Sequence, residues 1–327
     1  MDVPAKHWER AKSFRVQCKL CPHECLISVG GKGKCLIRQN HSGKLYQTAY
    51  AEPCSLSIDP IEKKPLYHFY PSRNILSVGT NGCNMSCHFC QNWQISTQET
   101  RRDGVTADRL LKLPTDNNSI GIAYTYNEPI IWYEFVYDCA KVFREAGQKN
   151  VMVTNGQINE EPLAELLPFI DAMNIDLKGF TEEFYKNEGG YLQTTLNTIK
   201  AAHKAGTHIE LTNLVIPELN DNETTFEEMC RFIAGISKDI PLHLSRHFPQ
   251  YKSEKDITSE KLLLNLKDIA GRHLNYVYIG NAQIDGASDT YCPECHAKII
   301  ERTGYKTTCL TDDNICKNCS TSLSLHF

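Results

Sequence analysis

The 327 residues carry 41% hydrophobic and 23% charged side chains, an ordinary balance for a globular protein with room for one large domain and small appendages. A formal charge of −4 gives no electrostatic footprint for nucleic-acid binding, and no run approaches the ~18 apolar residues that a membrane span needs. Fifteen cysteines follow a start, Met1–Arg10, without the apolar core of a secretory signal, so a cytoplasmic protein with metal-ligating thiols is expected and not a disulfide scaffold.

The first cysteine group is Cys18, Cys21, Cys25 and Cys35, spaced C-x2-C-x3-C-x9-C, with Gly30, Gly31 and Gly33 before the last thiol. Glycines permit the tight turns that wrap thiolates round an ion. Four thiols suit tetrahedral zinc or a fully ligated auxiliary iron–sulfur cluster; reduced, unmetallated thiols are the third reading. Next, Asp59 to Tyr70 contains Pro60 and Pro65, which interrupt regular structure. It reads as an ordered loop, either a charged connector or a lid carrying Asp59, Glu62, Lys63 and Lys64. Cys54 has no partner at ligand spacing and reads as a buried thiol.

The second group follows the apolar run from Ile75: Cys83, Cys87 and Cys90, spaced C-x3-C-x2-C, with Phe89 before the last thiol. Cysteine thiolates hold iron–sulfur clusters. Three of them serve three irons of a cubane and leave the fourth open, as a catalytic zinc keeps one position free. Half of a zinc site, or plain buried thiols after a strand, are the competing readings.

From residue 75 short β-branched runs alternate with helical patterns. Expected strands are Ile75–Thr80, Ser119–Thr125, Val151–Thr154, Ala172–Leu177, His208–Val215, Leu242–Ser245 and Tyr276–Ile279; expected helices are Ile130–Ala146, Glu161–Leu167, Thr195–Ala205, Thr224–Ile236 and Ser259–His273. Such alternation means an α/β fold with a parallel sheet and crossover helices. Six or seven βα units are few for a closed eight-fold barrel, so a partial (β/α)6 TIM-like barrel is expected, with its site at the carboxyl ends of the strands. Polar residues near those ends include Asn127, Glu128, Asn155, Asp176, Lys178, Glu210, Thr212, His243 and Ser245. Asn127 also suits a helix cap ahead of Pro129, and His243 a hydrogen-bonded core histidine. Spacing by two puts Asp176 and Lys178 on one face of their strand, and a charged pair is costly against packed helices, so both are expected to point into the lumen.

The third group, Cys292, Cys295, Cys316 and Cys319, forms two C-x2-C pairs and reads as a structural zinc ribbon. Cys309 is spare, and Cys139 and Cys230 fall inside helices as core residues. The expected organisation is a Cys-rich segment and loop over 1–73, the barrel over 74–285 and the ribbon over 286–327.

Together, Cys83-x3-Cys87-x2-Cys90, the N-terminal knot, Asp59–Phe69, Tyr124–Pro129, Asn174–Gly179, Glu210–Asp221, Pro241–Pro249 and the ribbon opening at Asp289 resemble, in that order, the radical SAM proteins related to pyruvate formate-lyase-activating enzyme. Within them the chain is most like the branch called the AmmeMemoRadiSam system radical SAM enzyme. The resemblance implies a [4Fe-4S] cluster on Cys83, Cys87 and Cys90 that reductively cleaves S-adenosylmethionine (SAM). The resulting 5′-deoxyadenosyl radical takes a hydrogen atom from a protein or small-molecule substrate. It further implies a flavodoxin- or ferredoxin-type electron donor; Phe89 fits the same signature, and Asn155 and Glu210, read from their places near the strand ends, are also expected to bind SAM. Asn127 and Glu128 would hold the SAM amino group, Asp176 and Lys178 would stand near SAM and its carboxylate, and His243 would face the adenosyl group. One departure matters: no cysteine lies between Cys90 and Cys139, where many glycyl-radical activases insert a ferredoxin-like segment. Glycyl-radical activation therefore remains an alternative. The rival from another class is a zinc-stabilised binding module on a barrel without radical chemistry.

Overall fold

Eight strands join one sheet in the order in which they occur in the chain: β1 (Ser55–Pro60), β2 (Asn74–Gly79), β3 (Ser119–Tyr124), β4 (Lys149–Thr154), β5 (Ala172–Asp176), β6 (His208–Val215), β7 (Leu242–Arg246) and β8 (Val277–Gly280). β1 pairs antiparallel with β2, and every later pairing is parallel. The computed structural model describes residues 2–100, 103–117, 119–311 and 313–327. Sequential parallel neighbours joined by helices make the expected partial barrel, with seven parallel strands and one antiparallel edge.

The helices bury one apolar face against the outside of this sheet. In Glu223–Ala234 that face is Phe226, Met229, Cys230 and Ile233; in Tyr133–Glu145 it includes Phe135, Val136, Cys139, Ala140 and Phe143. Spacing by three and four residues aligns them along one stripe, and burying each large side chain contributes about 1.5–3 kcal/mol. Cys139 and Cys230 are thus core residues. Outward strand positions such as Leu211 and Leu244 meet the helices and are fully buried. Asn222 and Ser259 cap their helices by accepting from the backbone N–H groups of Thr225 (3.1 Å) and Leu262 (3.2 Å). Among the described residues no helix is long and apolar enough to cross a membrane.

Two sequence expectations change. The ordered loop expected from Asp59 starts later: Asp59 and Pro60 end β1, paired with Ile75 and Asn74, and Ile61–Lys63 is a short 3-10 helix. Proline is tolerated there because β1 is an edge strand. The buried Lys64 anchors the segment through an ion pair of 2.8 Å to Asp59. The sheet therefore begins before residue 74. The helix expected over Ile130–Ala146 splits into a 3-10 turn, Pro129–Trp132, and the α-helix from Tyr133.

Two small lobes flank the barrel. The N-terminal lobe has two three-stranded sheets. It is joined to the barrel by a buried Arg38–Glu134 ion pair of 3.1 Å and by Asn159, whose backbone N–H and side-chain amide donate to the carbonyls of Leu20 and Lys19. The C-terminal lobe, a sheet of Thr290–Tyr291, Lys298–Thr303 and Lys306–Cys309, docks on the amino-terminal end of the barrel. There Arg302 donates to the Tyr67 carbonyl (2.8 Å), and the His326 N–H to the His68 carbonyl (2.8 Å).

Candidate active site at the carboxyl ends of the strands

β2 delivers the chain into the loop Thr80–Cys90. Gly82 has φ +96°, and a side chain there would collide with the carbonyl oxygen of Cys35, so only glycine lets this loop lie against the N-terminal lobe. Asn127 braces the loop from β3's end: its amide donates to the Gly82 carbonyl (2.8 Å), and its oxygen accepts from the Thr80 N–H (3.2 Å). On the other side Glu188 accepts from the His88 N–H (2.8 Å), and its own carbonyl accepts from the Ser86 N–H (2.9 Å). Sequence reasoning missed Glu188. Its signal was the following pair, Gly189-Gly190, whose bare backbones admit Ser86 and Met85 at close range.

Cys83, Cys87 and Cys90 border a cavity of about 190 Å³ whose other walls include Phe89, Asn127, Glu128, Asn155, Asp176, Lys178, Thr212 and Ser245. The same three thiols border a second cavity of about 330 Å³ that reaches Lys34, Leu36, Tyr251 and Lys252. Six of the eight residues expected to bind cofactor thus meet the cysteines at one mouth.

Glu128 is held by three donors. Its carboxylate accepts from the Ile130 N–H (3.0 Å), the Thr154 hydroxyl (2.7 Å) and the Asn155 N–H (2.7 Å). Burial still pushes its pKa up to about 7, because those hydrogen bonds offset only part of the desolvation. A carboxylate held at this balance favours a cationic neighbour in the cavity. Asn155 links the site inward, donating to Asn84 (2.9 Å) and lying 3.7 Å from the Cys83 sulfur.

Asp176 and Lys178 both face the cavity, paired at 2.7 Å. Burial would lower the Lys178 pKa, but Asp176 and the neighbouring Cys87 outweigh it and hold the ammonium above its ordinary range. Lys178 is 17% exposed, so its charge is available to a ligand.

Glu210 and His243 do not join them, which corrects the expectation for both. They are the third residue of β6 and the second of β7, at the amino-terminal ends. Glu210 is 0% exposed and accepts from the backbone N–H groups of Tyr67 (2.9 Å) and His68 (2.8 Å), with His208 at 3.0 Å and His243 at 2.7 Å. Burial would raise its pKa, yet His208 and His243 pull it well below the ordinary carboxylate range. Both lie on the strand face that leads to the cavity, one pleat too deep to reach it. Two residues further on, Thr212 and Ser245 are the ones that border the cavity.

The four ribbon cysteines converge: Cys292 and Cys319 sulfurs lie 3.6 Å apart, as do those of Cys295 and Cys316, and all four fall within 4.8 Å of one another. They could hold a metal ion, and Cys309 stands outside the set. Cys18, Cys21, Cys25 and Cys35 line a small separate cavity with Arg38, Ile131 and Asn84. Cys54, expected buried, is only half-buried.

Comparison with known proteins decides the family. The model of the radical SAM superfamily matches residues 77–233, which contain the three-cysteine loop, the end of β2 and the whole of β3 to β6. The chain belongs to the radical SAM superfamily. The uncharacterized protein MJ0808 of Methanocaldococcus jannaschii is 40% identical over 323 residues, covering 96% of each chain. Among solved structures similar in fold, Streptococcus suis SuiB bound to S-adenosylmethionine matches with TM-score 0.51 at 16% identity, over 64% of this chain and 52% of that one. This radical SAM chain thus spans about half the length of that structure. A domain of pyruvate-formate lyase-activating enzyme from Bacteroides vulgatus matches with TM-score 0.43 and 18% identity, over 49% of this chain and 98% of that one.

Proposed function

We propose that the protein reductively cleaves S-adenosylmethionine at a [4Fe-4S] cluster held by Cys83, Cys87 and Cys90 and uses the 5′-deoxyadenosyl radical to take hydrogen from a protein or small-molecule substrate. One observation carries this: the three thiols and the Asp176–Lys178 pair border the same cavity. The donor set fits the cluster, because three cysteines share one loop and no fourth cysteine among the described residues borders that cavity. When bound, the cluster supplies the electron that breaks the sulfonium carbon–sulfur bond.

The chain's own residues do the rest. Glu128 offers a carboxylate to the SAM ammonium, and Lys178 a cation to its carboxylate. Thr212 and Ser245 offer hydroxyls at the cavity wall. Asn127 and Glu188 hold the cysteine loop in register through backbone groups, so the thiols keep their places while the cavity fills. The ribbon cysteines fit tetrahedral zinc, whose Zn–S bonds of ~2.3 Å set sulfurs about 3.8 Å apart, close to the 3.6 Å found. A flavodoxin- or ferredoxin-type protein is the proposed electron donor. The narrower likeness to the AmmeMemoRadiSam branch belongs to this proposal too and rests on the order of motifs along the chain.

The test is turnover: anaerobically reconstituted protein with dithionite and SAM should release 5′-deoxyadenosine and consume SAM. Protein that holds iron but leaves SAM intact, or that binds zinc alone, would favour the rival binding module. Lys178→Ala should weaken SAM binding by roughly 1.5–3 kcal/mol, the worth of a charge-assisted hydrogen bond, without loss of iron. Equal affinity in calorimetric titrations of parent and variant would remove Lys178 from the site.

A further inference from the structure

The three cysteine groups differ in how closely their sulfurs gather. In the ribbon all four lie within 4.8 Å of one another, the crowding that a single ion with bonds of ~2.3 Å imposes. Among the described residues, neither Cys83, Cys87 and Cys90 nor the N-terminal Cys18, Cys21, Cys25 and Cys35 gather so tightly. A cubane binds each thiolate to a different iron and holds them further apart. In lacking that crowding the N-terminal knot is like the SAM-site cysteines and unlike the ribbon.

Its surroundings carry the same sign. Cys18 and Cys35 are buried, and all four thiols line one cavity between Leu20, Ile27 and Ile131. Arg38 borders that cavity, is fully buried, and has Nε and Nη1 without a partner; only its Nη2 is engaged, by Glu134 and the Lys6 carbonyl. A buried guanidinium with orphaned N–H groups is costly unless an anionic group stands before it. A thiolate-ligated cluster, negatively charged and rich in sulfur acceptors, meets that need, whereas neutral thiols do not.

We infer that Cys18, Cys21, Cys25 and Cys35 hold a second, fully ligated [4Fe-4S] cluster that passes electrons to the SAM-site cluster. The inference rests on the function proposed above for Cys83, Cys87 and Cys90. The two loops share a wall. The Cys35 carbonyl abuts Gly82, and its neighbours Lys34 and Leu36 border a cavity of the SAM-site thiols. Asn84 borders the knot while bonding Asn155 beside Cys83. The step is a one-electron transfer with no bond made or broken. A low-potential flavin or iron–sulfur protein reduces the N-terminal cluster, which is reoxidised as the SAM-site cluster is reduced.

Metal analysis with EPR of anaerobically reconstituted full-length protein tests this. The parent should hold about eight irons, two cubanes of four, and show spin–spin broadening when both clusters are reduced. The Cys83→Ala/Cys87→Ala/Cys90→Ala variant should keep about half the iron, with a signal that SAM leaves unchanged. The Cys18→Ser/Cys21→Ser/Cys25→Ser/Cys35→Ser variant should also keep half, with a signal that SAM shifts. A triple variant that has lost all its iron, or holds zinc in its place, overturns the inference whether or not the fourfold variant folds. A parent whose two reduced clusters show no broadening overturns the relay. Failure of the radical SAM reading looks different: the triple variant then keeps the parent's full iron content and the fourfold variant has none.

Discussion

Cys87→Ala should yield a folded protein that forms no 5′-deoxyadenosine above background when given SAM and dithionite. The thiol sits mid-loop between Cys83 and Cys90, and a cubane left with two protein ligands is held too weakly to reduce the sulfonium. The loop itself does not rest on the sulfur: Asn127 fixes its start and Glu188 its middle through backbone hydrogen bonds. Removing one sulfur from a half-buried position therefore costs about 1 kcal/mol, typical of a single substitution. Far-UV circular dichroism, a denaturant midpoint and the metal content of the ribbon check the fold; chromatographic assay of 5′-deoxyadenosine checks the chemistry. Turnover in the variant would remove Cys87 from the ligand set.

Glu210→Ala should do the reverse, costing stability while leaving SAM affinity as it was. Removing the carboxylate strands two backbone N–H groups, of Tyr67 and His68, and leaves His208 and His243 without their shared partner. Breaking a buried charged network in this way costs about 3–5 kcal/mol, read as a lower urea midpoint. The same network makes the protein acid-labile. Burial pushes His68 down to about 3 from its ordinary 6.5, so between those values the unfolded chain binds more protons. The stability contribution is complete above pH 6.5 and falls as pH drops toward 3. Glu210, held well below its ordinary 4.5, adds stability that is complete above pH 4.5 and lost as pH falls through its lowered value. Glu210→Ala should therefore flatten the acid limb below pH 4.5 in a stability–pH profile. A SAM affinity that drops with this substitution would return Glu210 to the cofactor site.

What the sequence made legible is what periodicity and spacing encode. Strand order, the lumen-facing placement of Asp176 and Lys178, and the convergence of the ribbon thiols follow from alternation and from C-x2-C spacing. Depth along a strand is encoded in neither. Glu210 and Thr212 share a face, and only the seating of Tyr67 and His68 across the amino-terminal end decides which one meets the cavity. Glu188 escaped notice because its contact with the cysteine loop spans 100 residues. β1 was hidden by Pro60, which reads as a breaker until the strand is known to be an edge.

The docking of the C-terminal lobe has a consequence for synthesis. The floor of the barrel is completed by Arg302 on Tyr67 and by His326 on His68, residues that leave the ribosome long after β1 to β7. Domains fold in the order in which they emerge, so a nascent barrel carries an uncovered Tyr67–His68–Tyr278 cluster until nearly the whole chain is out. During that interval the cluster is a surface to which chaperones or other nascent chains can stick.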